Sequence, residues 1–267
     1  MALINRIRIF KFKQILPIIT LLSFLFVKDI AFKLNSISKV LQLQSEISFV
    51  DILFSTLYGL NDNIKITMMD RMRWGLIFIL LFYFIGIYLN DTLTNSNRYI
   101  WLIRLKSSRL WVLDNILNIL FFVFIYISYF FANIIIFAYL EGSKVLTTTE
   151  IFSVLNPYMN IESINLNYIL ILFLLIFTSI LFLALMQLTI CIKTNDSNKG
   201  TIFSLIIIII SSLTAEINLI NPFMLSKFNI IDNRLSYNVY LYIILNIILI
   251  LLIVFLNLKF SKKIGKE

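Results

Sequence analysis

Long runs of apolar residues, separated by short polar segments, make up most of this chain of 267 residues. The clearest run lies between Tyr168 and Ile192, where no charged residue interrupts YILILFLLIFTSILFLALMQLTICI. At a rise of about 1.5 Å per residue, this run can cross the roughly 30 Å of hydrocarbon in a bilayer. The pattern therefore predicts a transmembrane helix here, not a helix in a soluble core.

Applied to the whole chain, the same criterion predicts an all-α, multi-pass membrane protein with a single transmembrane domain over residues 1–267. The first span is the weakest, because Lys28 and Asp29 interrupt it and must pair or reach the headgroups. A secretory signal peptide is the alternative there, but no small-x-small cleavage site follows the apolar run. The six predicted spans are 15–32, 74–89, 112–140, 168–192, 201–220 and 240–258.

Composition supports a membrane class and narrows the chemistry. The chain is 60% hydrophobic and 14% charged, and it contains no histidine and a single cysteine, Cys191. Without histidine the commonest metal ligand and general base are missing, so no catalytic residue, metal site or cofactor of this chain is predicted. No phosphate-binding loop of the form G-x-x-x-x-G-K-[ST] is present, so ATP hydrolysis by this chain is not expected.

The net charge of +9 is explained by topology. Lysine and arginine concentrate at the two ends of the chain and in two connections, within 6–13, 98–109, 193–199 and 259–266. Six crossings put all four groups on one side, which the positive-inside rule assigns to the cytoplasm together with both termini. Because topology accounts for the excess charge, no nucleic-acid partner is expected.

The largest predicted outer segment, 33–73, contains the mostly apolar stretch SFVDILFSTLYGL at 48–60. Two arrangements are compatible with this pattern. The stretch either lies flat on the outer leaflet, as interfacial helices do, or forms a short helix packed against the spans.

A few polar and small residues lie inside the predicted spans, where each needs a reason. The amide side chains either form hydrogen bonds between helices or contact a substrate along a translocation path. The carboxylate of Glu216 either reaches the headgroups or faces an internal cavity. Gly75 and Gly86 fall on nearly one face of a helix and predict close packing there. The candidates for a translocation path are Glu216, Asn133, Gln187 and Asn246, and Asn118 is a further predicted interhelical group.

The most informative hydrophilic segment is 97–111, NRYIWLIRLKSSRLW, between the second and third predicted spans. It combines four cations with aromatic and apolar residues on more than one side of a helical wheel, so contact with lipid alone does not explain it. Such a short cytoplasmic helix is suited to being held by a partner protein, and the alternative is a plain basic hairpin. The predicted contact residues are Arg98, Tyr99, Trp101, Arg104, Lys106, Ser107, Ser108, Arg109 and Trp111.

A six-span chain of this length, with this segment between spans two and three, resembles the membrane (permease) subunit of a bacterial type II ABC exporter. RLKSSRLW is similar to an arginine, serine-arginine, tryptophan signature of bacterial permease-like proteins that accompany separate ATPase subunits. Those proteins are linked with the export of peptides or bacteriocins and with self-protection. On this resemblance, the coupling element that fits the ATPase includes Arg104, Ser107, Ser108, Arg109 and Trp111.

The resemblance also implies partners and a location. ATP and Mg would bind to separate cytoplasmic ABC ATPase subunits, and a second membrane subunit, identical or related, would complete the transporter. The substrate would be hydrophobic or amphipathic, either a peptide or a lipid-like molecule, and the site of action would be the bacterial plasma membrane.

Two other classes of function are compatible with the sequence. A stand-alone immunity or sensor protein would bind an antimicrobial peptide at the outer segment 33–73. A polytopic membrane enzyme is less favoured, since intramembrane catalysis needs paired acids, histidines or an activated nucleophile, and Glu216 is nearly alone among the spans.

Overall fold

The computed structural model of the protein describes residues 12–42, 46–58, 68–93, 107–145, 149–150, 166–213 and 236–264. Within these residues the chain forms helices and no strand, which confirms the predicted all-α class. The helices are α1 (Phe12–Val40), α2 (Phe49–Tyr58), α3 (Met68–Leu93), α4 (Ser108–Glu141), α5 (Leu166–Thr194), α6 (Ser197–Leu213) and α7 (Ser236–Ile264).

Five of these helices are long and apolar enough to cross a membrane, and they coincide with five of the predicted spans. Helix α6 covers the first part of the remaining predicted span, 201–220, as a shorter apolar helix, and residues 214–220 of that span lie outside the described residues. The protein thus has the helices of a multi-pass membrane protein, and the number of six crossings stays a prediction. The five segments are Gln14–Val40, Gly75–Leu93, Ser108–Glu141, Ile169–Thr194 and Tyr240–Ser261.

The charges in the first span have partners. The ammonium of Lys28 lies 2.8 Å from a carboxylate oxygen of Glu141. One turn apart on α1, the carboxylate of Asp29 lies 2.9 Å from the ammonium of Lys33. Because both charges are paired, α1 continues past them as one helix to Val40.

Contacts between the helices other than α2 fix their relative directions. In a parallel pair of helices, residue numbers rise together from one contact to the next, whereas in an antiparallel pair they rise in one helix and fall in the other. By this criterion α1, α4 and α6 point one way, and α3, α5 and α7 point the opposite way. The pairs are Thr20–Tyr129 and Lys28–Glu141 (α1, α4), Ile77–Tyr126 and Tyr88–Asn115 (α3, α4), Ser179–Asn246 and Leu185–Asn257 (α5, α7), Gly86–Thr201 and Asn90–Ser197 (α3, α6), and Gln187–Thr201 and Cys191–Ser197 (α5, α6).

The core is one cluster of buried apolar side chains, contributed mainly by α1 to α5. Its large members Phe78, Phe82, Phe122 and Phe130 lie on α3 and α4. Helix α7 lies at the periphery, where few of its described side chains are buried. An apolar helix with such an exposed face is the expected result when lipid replaces water as the solvent.

Gly86 lets α3 approach α6 closely. A Cβ atom added at Gly86 would lie 2.3 Å from Oγ1, 2.9 Å from Cγ2 and 3.1 Å from Cβ of Thr201. Gly75, on nearly the same face of α3, is also buried. The close approach at Gly86 therefore depends on the absence of a side chain there, and the obstacle is a side chain of α6.

We expect Gly86→Ala to lower the free energy of unfolding by about 1–3 kcal/mol through overpacking against Thr201. Thr201→Ala removes the two nearest atoms, so the double variant should recover most of that loss. Thr201→Ala alone should cost about 1 kcal/mol, because Thr201 accepts a hydrogen bond from Gln187. Thermal unfolding of the four proteins in detergent gives the coupling energy as a double-mutant cycle. Strictly additive effects would contradict a clash with Thr201.

Candidate functional site

The predicted coupling element is described only from Ser107 onward. Five of its proposed contact residues, Arg98, Tyr99, Trp101, Arg104 and Lys106, lie outside the described residues. The described part begins with Ser107 and passes directly into α4. Its geometry is therefore that of the first turn of a long helix.

Ser107 determines where α4 begins. Its hydroxyl accepts a hydrogen bond from the backbone N–H of Arg109 at 3.2 Å, and its carbonyl accepts from the N–H of Trp111 at 3.1 Å. Serine is favoured as an N-cap because it satisfies a backbone donor left without a partner in the helix. Residues 108–111, predicted to belong to a separate short helix, are for this reason the first turn of α4.

Helix α4 has 34 residues and a length of about 51 Å, which exceeds the roughly 30 Å of bilayer hydrocarbon. Its ends therefore extend beyond the hydrocarbon. In the first turn, Arg109 and Leu110 are exposed, while Trp111 is 1% exposed and packs in the core. A partner protein could contact Ser107, Ser108 and Arg109 directly, whereas the indole of Trp111 anchors the turn from inside.

Beneath this turn lies a buried hydrogen-bond network between α3 and α4. The hydroxyl of Tyr88 donates to Oδ1 of Asn115 at 2.7 Å and accepts from Nδ2 of Asn118 at 3.0 Å. Nδ2 of Asn118 also donates to a carboxylate oxygen of Asp114 at 3.2 Å, and Nδ2 of Asn115 donates to the carbonyl of Trp111 at 2.8 Å. The network joins the exposed start of α4 to the last turns of α3.

Tyr88 and Asn115 are positioning residues that the sequence did not single out. Asn115 stands three residues before Asn118 at the polar end of an apolar helix, and residues three apart lie on one face. This spacing is the only sequence signal for the network. The choice of Tyr88 as the partner depends on how α3 packs.

The three described amides proposed for a translocation path form their hydrogen bonds at three separate places. Nε2 of Gln187 donates to the carbonyl of Phe82 on α3 at 3.3 Å and to Oγ1 of Thr201 on α6 at 3.0 Å. Nδ2 of Asn133 donates to the carbonyl of Tyr129 in its own helix. Nδ2 of Asn246 on α7 donates to Oγ of Ser179 on α5 at 3.0 Å. Glu216 lies outside the described residues.

At the opposite end of the bundle, α2 is a short helix packed against α1 and α4. Val50, Ile52 and Leu53 are buried. Helix α2 begins with a capping box, in which the N–H of Ser48 donates to Oδ2 of Asp51 at 2.9 Å and the N–H of Asp51 donates to Oγ of Ser48 at 3.1 Å.

Asp51 also joins α2 to the chain that follows α4. Its carboxylate is 0% exposed and accepts from the N–H of Thr149 at 3.0 Å and from the hydroxyl of Thr149 at 2.7 Å. Close by, the backbone N–H of Phe49 donates to the carbonyl of Ser143 at 3.0 Å, and the N–H of Ser143 donates to the carbonyl of Ile47 at 2.9 Å. A Cβ atom added at Gly142 would lie 2.5 Å from the backbone nitrogen of Phe49. The start of α2 and the end of α4 therefore form one tightly bonded unit.

An apolar groove of about 610 Å³ lies between α1 and α3 on the side of the bundle. Its walls include Leu22, Phe26 and Ile77, and Lys28 and Asp29 line it as well. Its volume is within the range of about 300–1,000 Å³ that is typical of sites for small molecules. Among the described residues, no group of three or more His, Cys, Asp or Glu side chains could hold a metal ion.

Comparisons with protein-family models, with curated proteins and with solved structures give no match. Two features of the described residues bear on the function: the exposed first turn of α4 with the network beneath it, and the groove between α1 and α3.

Proposed function

We propose that this chain is the transmembrane subunit of an ATP-driven ABC exporter, which moves a hydrophobic or amphipathic substrate out across the bacterial plasma membrane. The observation that carries the proposal is the capped first turn of α4. It follows the basic segment 98–106 directly, exposes Arg109, and is bonded through Asn115 to Tyr88 of α3. A force applied to this turn would reach two helices at once.

The directions of the helices support the topology that the proposal needs. Since α5 and α7 are parallel, the chain between them returns to the side on which α5 began, and α6, which is antiparallel to α5, runs in this returning direction. With this return counted as a crossing, the chain crosses six times. The basic segment 98–109 and both termini then lie on one side, which is the cytoplasmic side by the positive-inside rule.

The mechanism assigns ATP and Mg to separate ATPase subunits. Their closure on ATP pushes the first turn of α4, and the rigid network at Tyr88 carries this displacement into α3. Alternation between two packings of similar energy moves the substrate outward. The substrate is a peptide, such as a bacteriocin, or a lipid-like molecule, and a second membrane subunit, identical or related, supplies the other half of the path.

The test uses the ATPase subunits that copurify with the chain from native membranes and are identified by mass spectrometry. We expect Arg104→Glu/Arg109→Glu to weaken their binding by about 100-fold, because opposing like charges across an interface cost several kcal/mol. Stimulation of ATP hydrolysis should fall with the loss of binding. The matched control is Lys193→Glu/Lys199→Glu, which makes the same change in charge at two exposed positions, one on each side of the turn between α5 and α6.

Equal binding and stimulation in wild type and in Arg104→Glu/Arg109→Glu would rule out the coupling assignment. Equal losses of ATPase binding in the two double variants would show a general effect of charge and would contradict a specific role for Arg104 and Arg109. If no ATPase copurifies and cells without the ATPase gene keep their resistance to the peptide, the chain is a stand-alone immunity protein and not an exporter subunit.

A further inference from the structure

The groove between α1 and α3 has the polarity of a lipid-binding site. Lys28 lies against Glu141, the last residue of α4, so the charged part of the groove is level with the end of a helix longer than the hydrocarbon is thick. Leu22 lies about 9 Å deeper along α1, at 1.5 Å per residue. The groove is therefore charged at headgroup level, with Leu22 and Phe26 below the charges on α1 and Phe32 one turn beyond them.

The charges at this level are a cation and an anion side by side. The Lys28 side chain is 50% exposed, and its ammonium lies 2.8 Å from a carboxylate oxygen of Glu141. An ammonium has three N–H donors, so it can bind a second acceptor beside Glu141. Asp29 is paired with Lys33 and also lines the groove. The two ion pairs, Lys28–Glu141 and Asp29–Lys33, are together neutral. Such an arrangement complements a headgroup that itself carries one positive and one negative charge.

We propose that the groove binds a zwitterionic phospholipid, phosphatidylethanolamine. One acyl chain lies along Leu22, Phe26 and Ile77, the phosphate is near the ammonium of Lys28, and the ammonium of the headgroup is near the carboxylate of Asp29. The volume of about 610 Å³ is that of a site for one small ligand, so we place only one acyl chain of the lipid in the groove. This binding goes beyond the exporter function and does not depend on any ATPase.

The chain offers a matched pair of variants for the apolar part of the groove. Leu76 lines it on α3 and is 49% exposed, so Leu76→Trp fills the groove with little effect on the core. Leu117 on α4 is 48% exposed and does not line the groove, which makes Leu117→Trp the control. The headgroup is tested by Lys28→Glu/Glu141→Lys, which keeps an ion pair and reverses the charge at the groove.

The experiment is native mass spectrometry of protein released from nanodiscs that contain equal amounts of phosphatidylethanolamine and phosphatidylglycerol. We expect the wild type and Leu117→Trp to retain one phosphatidylethanolamine with about tenfold preference, and Leu76→Trp to lose about tenfold in retention. The charge-reversed pair should lose the preference between headgroups. Thermal unfolding in the same nanodiscs verifies that each variant is folded.

Equal retention by Leu76→Trp and Leu117→Trp would overturn the groove as the binding site. Retention of both lipids in proportion to their amounts in the nanodisc would show that the retained lipid comes from the surrounding bilayer and not from a specific site, and would overturn the proposal. An unchanged preference in the charge-reversed pair would overturn the roles of Lys28 and Asp29. Since the assay contains no ATPase, each of these results leaves the proposed exporter function as it stands.

Discussion

Replacing Asp51 by asparagine is expected to lower the free energy of unfolding by about 3 kcal/mol, because an unsatisfied buried donor costs about 1–3 kcal/mol and bonds to a charged group cost more. The carboxylate accepts three hydrogen bonds at the start of α2, from the N–H of Ser48 and from the N–H and hydroxyl of Thr149. Asparagine has a single acceptor oxygen, so its amide nitrogen faces at least one of these donors.

The control for this prediction is Glu46→Gln, which makes the same change in charge at an exposed position five residues earlier. Chemical unfolding in detergent gives the free energies, and limited proteolysis reports whether α2 has separated from α4. The expected loss appears in Asp51→Asn alone. Unfolding curves that coincide for the two variants would mean that the Asp51 contacts do not hold α2 in place.

The second large effect is expected at Gly200, where α6 lies against α5. A Cβ atom added at Gly200 would lie 2.3 Å from Sγ of Cys191 and 2.7 Å from the backbone carbonyl of Gln187. A side chain can change its rotamer, but a carbonyl within α5 can move only with the helix. Gly200→Ala should therefore separate the two helices and cost about 3 kcal/mol, at the upper end of the usual range for overpacking.

Cys191 is the only cysteine in the sequence and provides the measurement. It is fully buried, as the apolar run around it predicts, so its alkylation by a maleimide in the wild type requires local opening. A loss of about 3 kcal/mol in the stability of the α5–α6 contact raises the alkylation rate by about 100-fold. The control is Ile202→Ala, at an exposed position on α6. A wild-type rate in Gly200→Ala would show that α6 accommodates the methyl group.

At the candidate site the basic segment is visible in the sequence, but the geometry of the first turn of α4 could not be predicted. Serine before an apolar helix is a recognisable start signal. The prediction nevertheless placed residues 108–111 in a separate helix, because Arg109 extends the basic segment as far as Trp111. Only the hydrogen bonds of Ser107 and the burial of Trp111 assign this turn to α4.

The sequence could not decide between the two arrangements of the stretch 48–60, on the outer leaflet or against the spans. Its apolar pattern predicts a helix but not the surface against which the helix packs, since lipid and neighbouring spans offer similar apolar environments. The S-x-x-D capping box at Ser48 is visible in sequence. The second use of Asp51, in binding Thr149, joins residues separated by 98 positions and has no local signal.

The sequence by itself determined the membrane class, the helical fold and the positions of the long spans, because the transfer of a segment into lipid is a sum over its own residues. The tertiary structure alone decided which helices run parallel, how Lys28 and Tyr88 find their partners, and where the groove opens. These features depend on the packing of residues far apart in the chain. At Gly86 and Gly200, for example, the absence of a side chain allows two helices to approach closely.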